Sequence, residues 1–190
     1  MANLITPACL TAGPTITAAT PASCIPTSCP LTLDPGYWEL GKRWRIRLSG
    51  KISSSILDGR GTLNQAPGSA RFDLRLGGQV VWDSLAIPLN SSGAFTAVPW
   101  CLEVEVTCQS IGVGTAATLL GEGKFICADI DGASVTPPAA GGVAVVPWAT
   151  TPAAGPGFNS FSRLDVDVYF SQTVGTGSLT VLYYAISELV

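Results

Sequence analysis

Two pairs of acidic residues have the spacing closest to a catalytic pattern in this chain. Glu103 and Glu105 form the first pair, and Asp165 and Asp167 form the second. On a β-strand, residues two apart point to the same face, and two carboxylates on one face are the groups with which glycosidases cleave a glycosidic bond. Outward acidic rows that are solvated or paired with basic residues are the commoner use of this spacing, and we interpret both pairs in that way.

The rest of the chain gives little support for nucleophilic chemistry. Histidine is absent from the 190 residues, so the most common general base is missing beside any serine or cysteine nucleophile. The three lysines, Lys42, Lys51 and Lys124, are not part of an SxxK-type motif. The sequence therefore predicts a protein that is not an enzyme and that needs no cofactor.

Six cysteines are the remaining groups that could bind a metal or form covalent links. Cys24 and Cys29 could close a short loop or supply two metal ligands, but without histidine or a further close pair of cysteines a zinc site is disfavoured. Cys101 and Cys108 are seven apart on one predicted strand, so they face opposite sides and cannot bond to each other. No secretory signal is predicted, which argues against disulfides. We therefore expect reduced, buried thiols at Cys9, Cys24, Cys29, Cys101, Cys108 and Cys127.

The composition predicts association with other chains. Charged residues make up 12% of the chain and hydrophobic residues 47%, whereas about 25% charge is usual for globular domains. A surface so low in charge is expected to be covered in part by partners. The net charge of −3 and the lack of an aromatic-basic motif argue against nucleic acid, and no apolar stretch is long enough to predict a membrane span.

The basic residues are concentrated in one part of the chain. Eight of the ten lie between residues 42 and 75, and Arg43, Arg45 and Arg47 alternate along one predicted strand. Such a row of like charge needs an acidic neighbour. The chain's own acidic rows could supply it, or the row could dock on an acidic partner surface. The sequence favours pairing within or between subunits, and the three arginines are candidate interface residues.

These side chains are carried by short alternating strands. Trp44, Ile46 and Leu48 alternate with the three arginines, and this period of two places one set of side chains in a core. The same pattern predicts strands at 43–56, 70–76, 79–84, 95–98, 101–111, 117–127, 161–171 and 178–188. Turn-forming residues separate them at Asp58-Gly59, Gly77-Gly78, Asn90 to Gly93, Gly112 to Gly114 and Gly175 to Gly177.

The predicted fold class is all-β. About eight antiparallel strands in two sheets fit a jelly-roll sandwich. An immunoglobulin-like sandwich is the competitor, but its Cys…Trp…Cys spacing is absent. Residues 36–190 form this domain, and residues 1–35 form an extended arm, rich in proline, threonine and alanine, that is apolar enough to pack on its own subunit or on a neighbour.

Two further segments are candidate interfaces. A long Pro/Gly/Ala-rich loop at 129–159 contains Trp148, and long loops in compact domains are often interfacial. The last predicted strand is apolar on both faces, so it should be covered on two sides, once by the core and once by another subunit. Its apolar residues are Leu179, Val181 and Tyr183 on one face and Leu182, Tyr184 and Ile186 on the other. The first three join the candidate interface.

Four segments resemble one known group of proteins. They are GYWELGKRWRIRLSGKIS (36–53), FDLRLGGQVVWDS (72–84), VPWCLEVEVTCQSIG (98–112) and LLGEGKF (119–125). They are similar to small jelly-roll virion proteins of tailed bacteriophages, which coat the capsid as decoration (cement) proteins or form related head appendages, often as trimers. The resemblance covers about residues 30–190, and the strand from Trp100 to Gly112 is its most distinctive piece.

This resemblance implies a structural role and no catalytic site. We expect a homotrimeric capsid decoration protein that binds the major capsid protein on the outer surface of the virion and is assembled in the host cytoplasm. The alternative is a carbohydrate- or receptor-binding appendage of the head or tail. For that alternative, Trp38, Trp82, Trp100 and Trp148 flank turns or loops and could form a sugar platform.

Overall fold

The computed structural model describes residues 2–4, 9–54, 68–89, 94–130, 142–149, 154–173 and 177–189. Within these ranges the regular structure is twelve β-strands. Since these ranges contain no helix, none of them forms one that could span a membrane. The strands are β1 (Ala2–Leu4), β2 (Ala22–Ser23), β3 (Leu31–Leu33), β4 (Arg43–Ser54), β5 (Ser69–Leu76), β6 (Gln79–Asp83), β7 (Ile87–Pro88), β8 (Phe95–Ser110), β9 (Thr118–Cys127), β10 (Gly142–Val146), β11 (Leu164–Gln172) and β12 (Ser178–Leu189).

The strands form two antiparallel sheets that pack together. Sheet A has the order β1-β12-β4-β8-β9-β10, and sheet B has the order β2-β11-β5-β6, with β3 beside β11 and β7 beside β5. The all-β class and the two-sheet architecture predicted from the alternation are confirmed. Two of the predicted turns, Asp58-Gly59 and Asn90 to Gly93, lie outside the described residues, as does most of Gly175 to Gly177.

Side chains from both sheets fill the space between them. On β4, the three apolar residues that alternate with the arginines are buried, as predicted. Phe72 of sheet B contacts Trp100 and Phe125 of sheet A, with ring centroids 5.4 and 5.3 Å apart. Tilted aromatic contacts of this kind add to the stabilisation from burial alone, so they fix the two sheets against each other.

Strand β8 joins two segments that the sequence predicts as separate strands. The predicted break falls at Pro99, which cannot donate a backbone hydrogen bond. In the structure, β9 pairs with β8 only from Trp100 onward, so Pro99 has a neighbouring strand on one side, β4, and not on the other. A proline is tolerated at such an edge position, and the strand continues through it.

The N-terminal segment, residues 9–33, follows the edges of both sheets of its own chain. Backbone hydrogen bonds join Cys9 to Tyr184 and Ile16 to Leu179 along β12, and β2 and β3 then pair with β11 in the other sheet. The segment thereby covers one edge of each sheet, where exposed backbone groups would otherwise invite pairing with other chains. It also contributes six buried side chains, which are Cys9, Ile16, Cys24, Ile25, Pro26 and Leu33.

The reduced state predicted for the cysteines is wrong for two of them. Cys9 and Cys29 form a disulfide, with their Cα atoms 6.1 Å apart. Their spacing of 20 residues does not reveal this bond, because it depends on the crossing of the segment from sheet A to sheet B. The two halves of the segment meet closely at Gly13, where a Cβ would collide with the carbonyl oxygen of Cys24. The other four cysteines are free.

The prediction that the last strand has two covered apolar faces is wrong as well. A β-bulge between Val181 and Tyr183 shifts the register of β12 against β4. One extra residue in a strand exchanges its two faces, so the alternation restarts after the bulge. Apolar residues on both sides of the bulge therefore enter the same core: Leu179, Val181, Tyr184 and Ile186.

Candidate interaction surfaces

The outer face of sheet A carries the predicted basic row, and its charges are paired within the chain. The register of β4 and β8 places Arg45 opposite Glu105 and Arg47 opposite Glu103. Arg43 and Arg45 both donate hydrogen bonds to Glu105, at 2.6 Å, and Arg47 donates to Glu103, also at 2.6 Å. Internal pairing, one of the alternatives left open by the sequence, is thus present. Contact of these arginines with another chain stays a prediction.

This ladder is electrostatically satisfied but well exposed. The hydrogen bond from Arg45, together with its positive charge and that of Arg43, lowers the pKa of Glu105 below its usual value. Lys124 lies 4.0 Å from Glu103, so the second glutamate also has two basic neighbours. The arginine side chains are 35–53% exposed, and each such pair contributes about 0–1 kcal/mol. The ladder therefore supports the register of β4 and β8, and it keeps a net positive charge because three arginines and Lys124 surround two glutamates.

The other acidic pair lies on the outer face of sheet B and binds the N-terminal segment. The Thr32 hydroxyl donates to Asp165 at 2.7 Å, and the Ser23 hydroxyl donates to Asp167 at 2.7 Å. Burial raises the pKa of Asp167, although the hydrogen bond from Ser23 opposes this effect. In both acidic pairs each carboxylate thus has a partner in its own chain, which agrees with our interpretation of them as structural rows.

The structure places two candidate interface residues in the core. Leu179 and Val181 are 0% and 1% exposed, because both lie on the face of β12 that packs inside the sandwich. They form no surface that another subunit could contact, which corrects their assignment. Tyr183, beside the bulge, is half-buried, and Leu182 is exposed.

Trp148 is the most exposed of the five tryptophans, at 40%. It follows β10 and lines an open groove of about 380 Å³ with Val145, Pro147 and Ala149. The other four tryptophans are buried. Of the four residues considered for a sugar platform, therefore, only Trp148 is available to a ligand.

Three loops meet at one end of the sandwich and are held together by hydrogen bonds. They are residues 34–42, 111–117 and 158–163, which lie next to the ends of β4, β8, β9 and β11. Ser160 of the third loop accepts a backbone hydrogen bond from the first loop and donates one to the second, both at 3.0 Å. Its hydroxyl accepts a further hydrogen bond from the second loop at 2.9 Å. A single buried serine thus joins all three loops.

These loops present exposed apolar side chains that the sequence analysis does not single out. We call this group the apolar loop cluster, and its members are Leu40, Ile111, Val113 and Phe161. In the sequence, Gly112 to Gly114 predict a turn in the second loop, but no pattern shows that this turn meets the other two loops. One signal is present: turn tips usually carry polar residues, whereas Val113 lies between two glycines and Leu40 precedes one.

The cysteine pair considered for a metal does not form a site. Cys29 is in the disulfide, and the buried thiol of Cys24 donates to the carbonyl oxygen of Val168 at 3.0 Å. Burial raises the pKa of the Cys24 thiol far above its ordinary value, so it stays protonated. Among the residues that the structure describes, no group of three or more His, Cys, Asp or Glu side chains could hold a metal ion.

Comparison with known proteins identifies no relative. No protein-family model, curated protein or solved structure matches this chain. Its function must therefore be inferred from the surfaces described above.

Proposed function

We propose that this protein is a non-enzymatic structural component of a tailed-phage virion. Specifically, it is a capsid decoration protein that binds the major capsid protein on the outer surface of the assembled head. It is assembled onto the head in the host cytoplasm. The observation that carries the proposal is the apolar loop cluster, which is exposed and yet tightly held.

The cluster has the properties that a docking surface needs. Its loops are fixed by hydrogen bonds to one buried serine, so little conformational entropy is lost when they meet a partner. Its four apolar side chains can form the desolvated centre of an interface. The outer faces of the two sheets compete less well as docking surfaces, because their charged rows are paired within the chain.

Such a protein stabilises a shell by binding only the assembled form. A ligand that binds one state stabilises it by about 2.7 kcal/mol per site when its concentration is 100 times its dissociation constant. Many copies bind each shell, so weak single contacts suffice. If several subunits act together, avidity adds to this effect.

The finer fold assignment and the oligomeric state belong to the same proposal. Among the long strands, β4 pairs with β12 and β5 pairs with β11. In this nested order, early strands pair with late strands of the chain, and the same order is typical of a jelly roll. Strands β8, β9 and β10 instead follow one another in sheet A. The homotrimer is now supported by the resemblance and by the low charge of the chain, but no longer by a second covered face of β12, because most apolar residues of that strand enter one core and Leu182 is exposed.

Capsids prepared without this protein provide the test. Purified protein is added, free and bound fractions are separated by sedimentation, and the particles are imaged. We expect density distributed over the shell, and we expect Val113→Lys and Phe161→Lys to reduce binding at least tenfold. Leu182→Lys, an exposed apolar position on β12, is the control and should bind normally. Equal binding by all variants, or density at the tail only, would contradict the proposal.

The appendage alternative is favoured by one observation, the exposed Trp148 groove. Because the other tryptophans are buried, quenching of fluorescence by a sugar would report mainly on this residue. Saturable quenching that disappears in Trp148→Ala would support a glycan-binding appendage. The absence of quenching across a panel of host surface glycans would leave the decoration protein as the better account.

A further inference from the structure

Strand β10 is an open edge of sheet A in the part of the chain that the structure describes. It pairs with β9 on one side, and no other described strand lies on its other side. Its five residues, Gly142–Val146, include no charged residue and no proline. Edge strands are usually protected by charges, proline, bulges or a covering segment. On the opposite side of the sandwich, the N-terminal segment provides that cover, whereas none of these protections is found for β10 among the residues that the structure describes.

We propose that two copies of this chain associate through antiparallel pairing of their β10 strands about a twofold axis at Ala144. The strand is self-complementary, because a valine stands on each side of Ala144. In this register Val143 faces Val145 of the partner subunit, and the same pair forms again across the axis. Ala144 and Val146 are buried in the core while Val143 and Val145 are exposed. Outer residues therefore meet outer residues, as a continuous sheet requires.

The side chains beside β10 fit this arrangement. Ile126 lies next to Val143 in the register with β9, and Lys124 lies next to Val145. The cross-strand row that begins at Lys124 continues through Val145 and, across the axis, through Val143 of the partner subunit to Ile126 of the partner subunit. No like charges therefore face each other. The four valines and two isoleucines would join into one apolar patch that is split and exposed in the single chain.

The pattern favours a second copy over a different protein as the occupant. A heterologous partner would usually be selected by charged or bulky side chains along the edge, and β10 carries only glycine, alanine and valine. Isologous twofold contacts are the most common form of homo-oligomer. This inference does not rest on the proposed function, because the apolar loop cluster is a separate surface.

Sedimentation of the purified protein tests the contact, with two matched variants. Val145 and Val113 are both 70% exposed, but only Val145 lies on β10. We expect an even-numbered assembly for the wild type, which is a hexamer if the homotrimer also forms, a halved mass or at least a tenfold weaker association for Val145→Lys, and no change for Val113→Lys. A wild-type monomer, an odd-numbered assembly, or equal effects of the two variants would overturn the proposal.

Cross-linking tests the register directly. Val143→Cys and Val145→Cys are made as separate variants, mixed, and oxidised. The mixture should form a disulfide-linked dimer, because the two positions face each other across the axis at a distance that suits the bond. Each variant alone should link poorly, as should the wild type, whose four free cysteines are buried or half-buried. Equal linking by a single variant would place the axis elsewhere and overturn the proposed pairing.

Discussion

Loss of the Cys9–Cys29 disulfide should lower the stability of this protein by a predictable amount. The bond closes a loop with a sequence separation of 20, and that loop contains the crossing of the N-terminal segment from sheet A to sheet B. In the chain-entropy model, a loop of this length restricts the unfolded state by about 3 kcal/mol at 25 °C. Reduction removes that restriction, so the free energy of unfolding should fall by about this amount.

Urea unfolding with and without a reductant measures the effect. For an m-value of about 2 kcal/mol/M, a loss of about 3 kcal/mol shifts the midpoint by about 1.5 M. The Cys29→Ala variant should unfold at the midpoint of the reduced wild type and should not respond to the reductant. Cys101→Ala is the control, because Cys101 is a free, half-buried cysteine, and this variant should keep the full response.

Two results would refute this reasoning. If intact mass after alkylation of the unreduced protein under denaturing conditions shows six free thiols, the bond does not form. If the bond is present but the midpoint is the same with and without reductant, then the N-terminal segment is held by its backbone hydrogen bonds and buried side chains alone. The loop-closure argument would then not apply to this protein.

Four further predictions concern the N-terminal segment and the charged rows. Deletion of residues 1–33 should cause aggregation or unfolding, measured by light scattering and thermal unfolding, because it uncovers one edge of each sheet and removes six side chains that are buried among the described residues; a soluble, folded deletion variant would contradict this. Arg45→Glu combined with Arg47→Glu should lower stability by about 1–2 kcal/mol, since it replaces exposed ion pairs with opposed like charges; an unchanged urea midpoint would contradict it. The pKa of Glu105 is lowered in the folded state, so Glu105 adds to the free energy of unfolding above its unfolded pKa, and this stabilisation is lost as pH falls through the lower folded value. Glu105→Gln should therefore reduce the loss of stability in acid. The pKa of Asp167 is raised, so its effect on stability has the opposite sign: the free energy of unfolding falls as pH rises through the raised value, and Asp167→Asn should remove this loss. If the free energy of unfolding depends on pH equally in the two variants, both assignments are refuted.

The alternation of apolar and polar residues predicts the long strands well, because each is buried on one face. Strands β4, β8, β9, β11 and β12 all lie close to the predicted ranges. The bulge in β12 could not be predicted in the same way. Both the straight and the bulged strand place apolar residues at alternate positions. Only pairing with β4 shows that the phase changes between Val181 and Tyr183.

The prolines of the N-terminal segment were a less reliable guide than the alternation. A proline prevents a continuous ladder, and the sequence therefore predicts an extended arm without regular pairing. In the structure, β2 lies between Pro21 and Pro26, and β3 lies between Pro30 and Pro35. Two or three residues are enough to pair with an existing strand such as β11. The prolines thus limit the length of each paired piece and do not prevent pairing.

Some of the candidate surfaces can be predicted from local sequence patterns, whereas others depend on contacts between distant parts of the chain. The Arg–Glu ladder could be anticipated because each row is visible within one strand and only their meeting had to be assumed. The apolar loop cluster brings together residues as far apart as 40 and 161, and no local pattern contains that information. Strand β10 lies inside the predicted loop at 129–159, where the abundance of glycine, proline and alanine outweighs the signal from three closely spaced valines.

The edges on the two sides of the sandwich differ in how they are protected from pairing with other chains. An uncovered apolar edge is a liability for any β protein, because it can pair with other chains. On the β12 and β11 side, this chain devotes residues 9–33 and a disulfide to covering the edges. On the other side, β10 carries neither a charge nor a proline within its five residues. Covering the edges on one side does not prevent aggregation if an apolar edge on the other side can still pair with any chain. In the twofold contact that we propose, β10 of a second copy covers this edge. Because such a contact is closed, no further chain can pair with either strand.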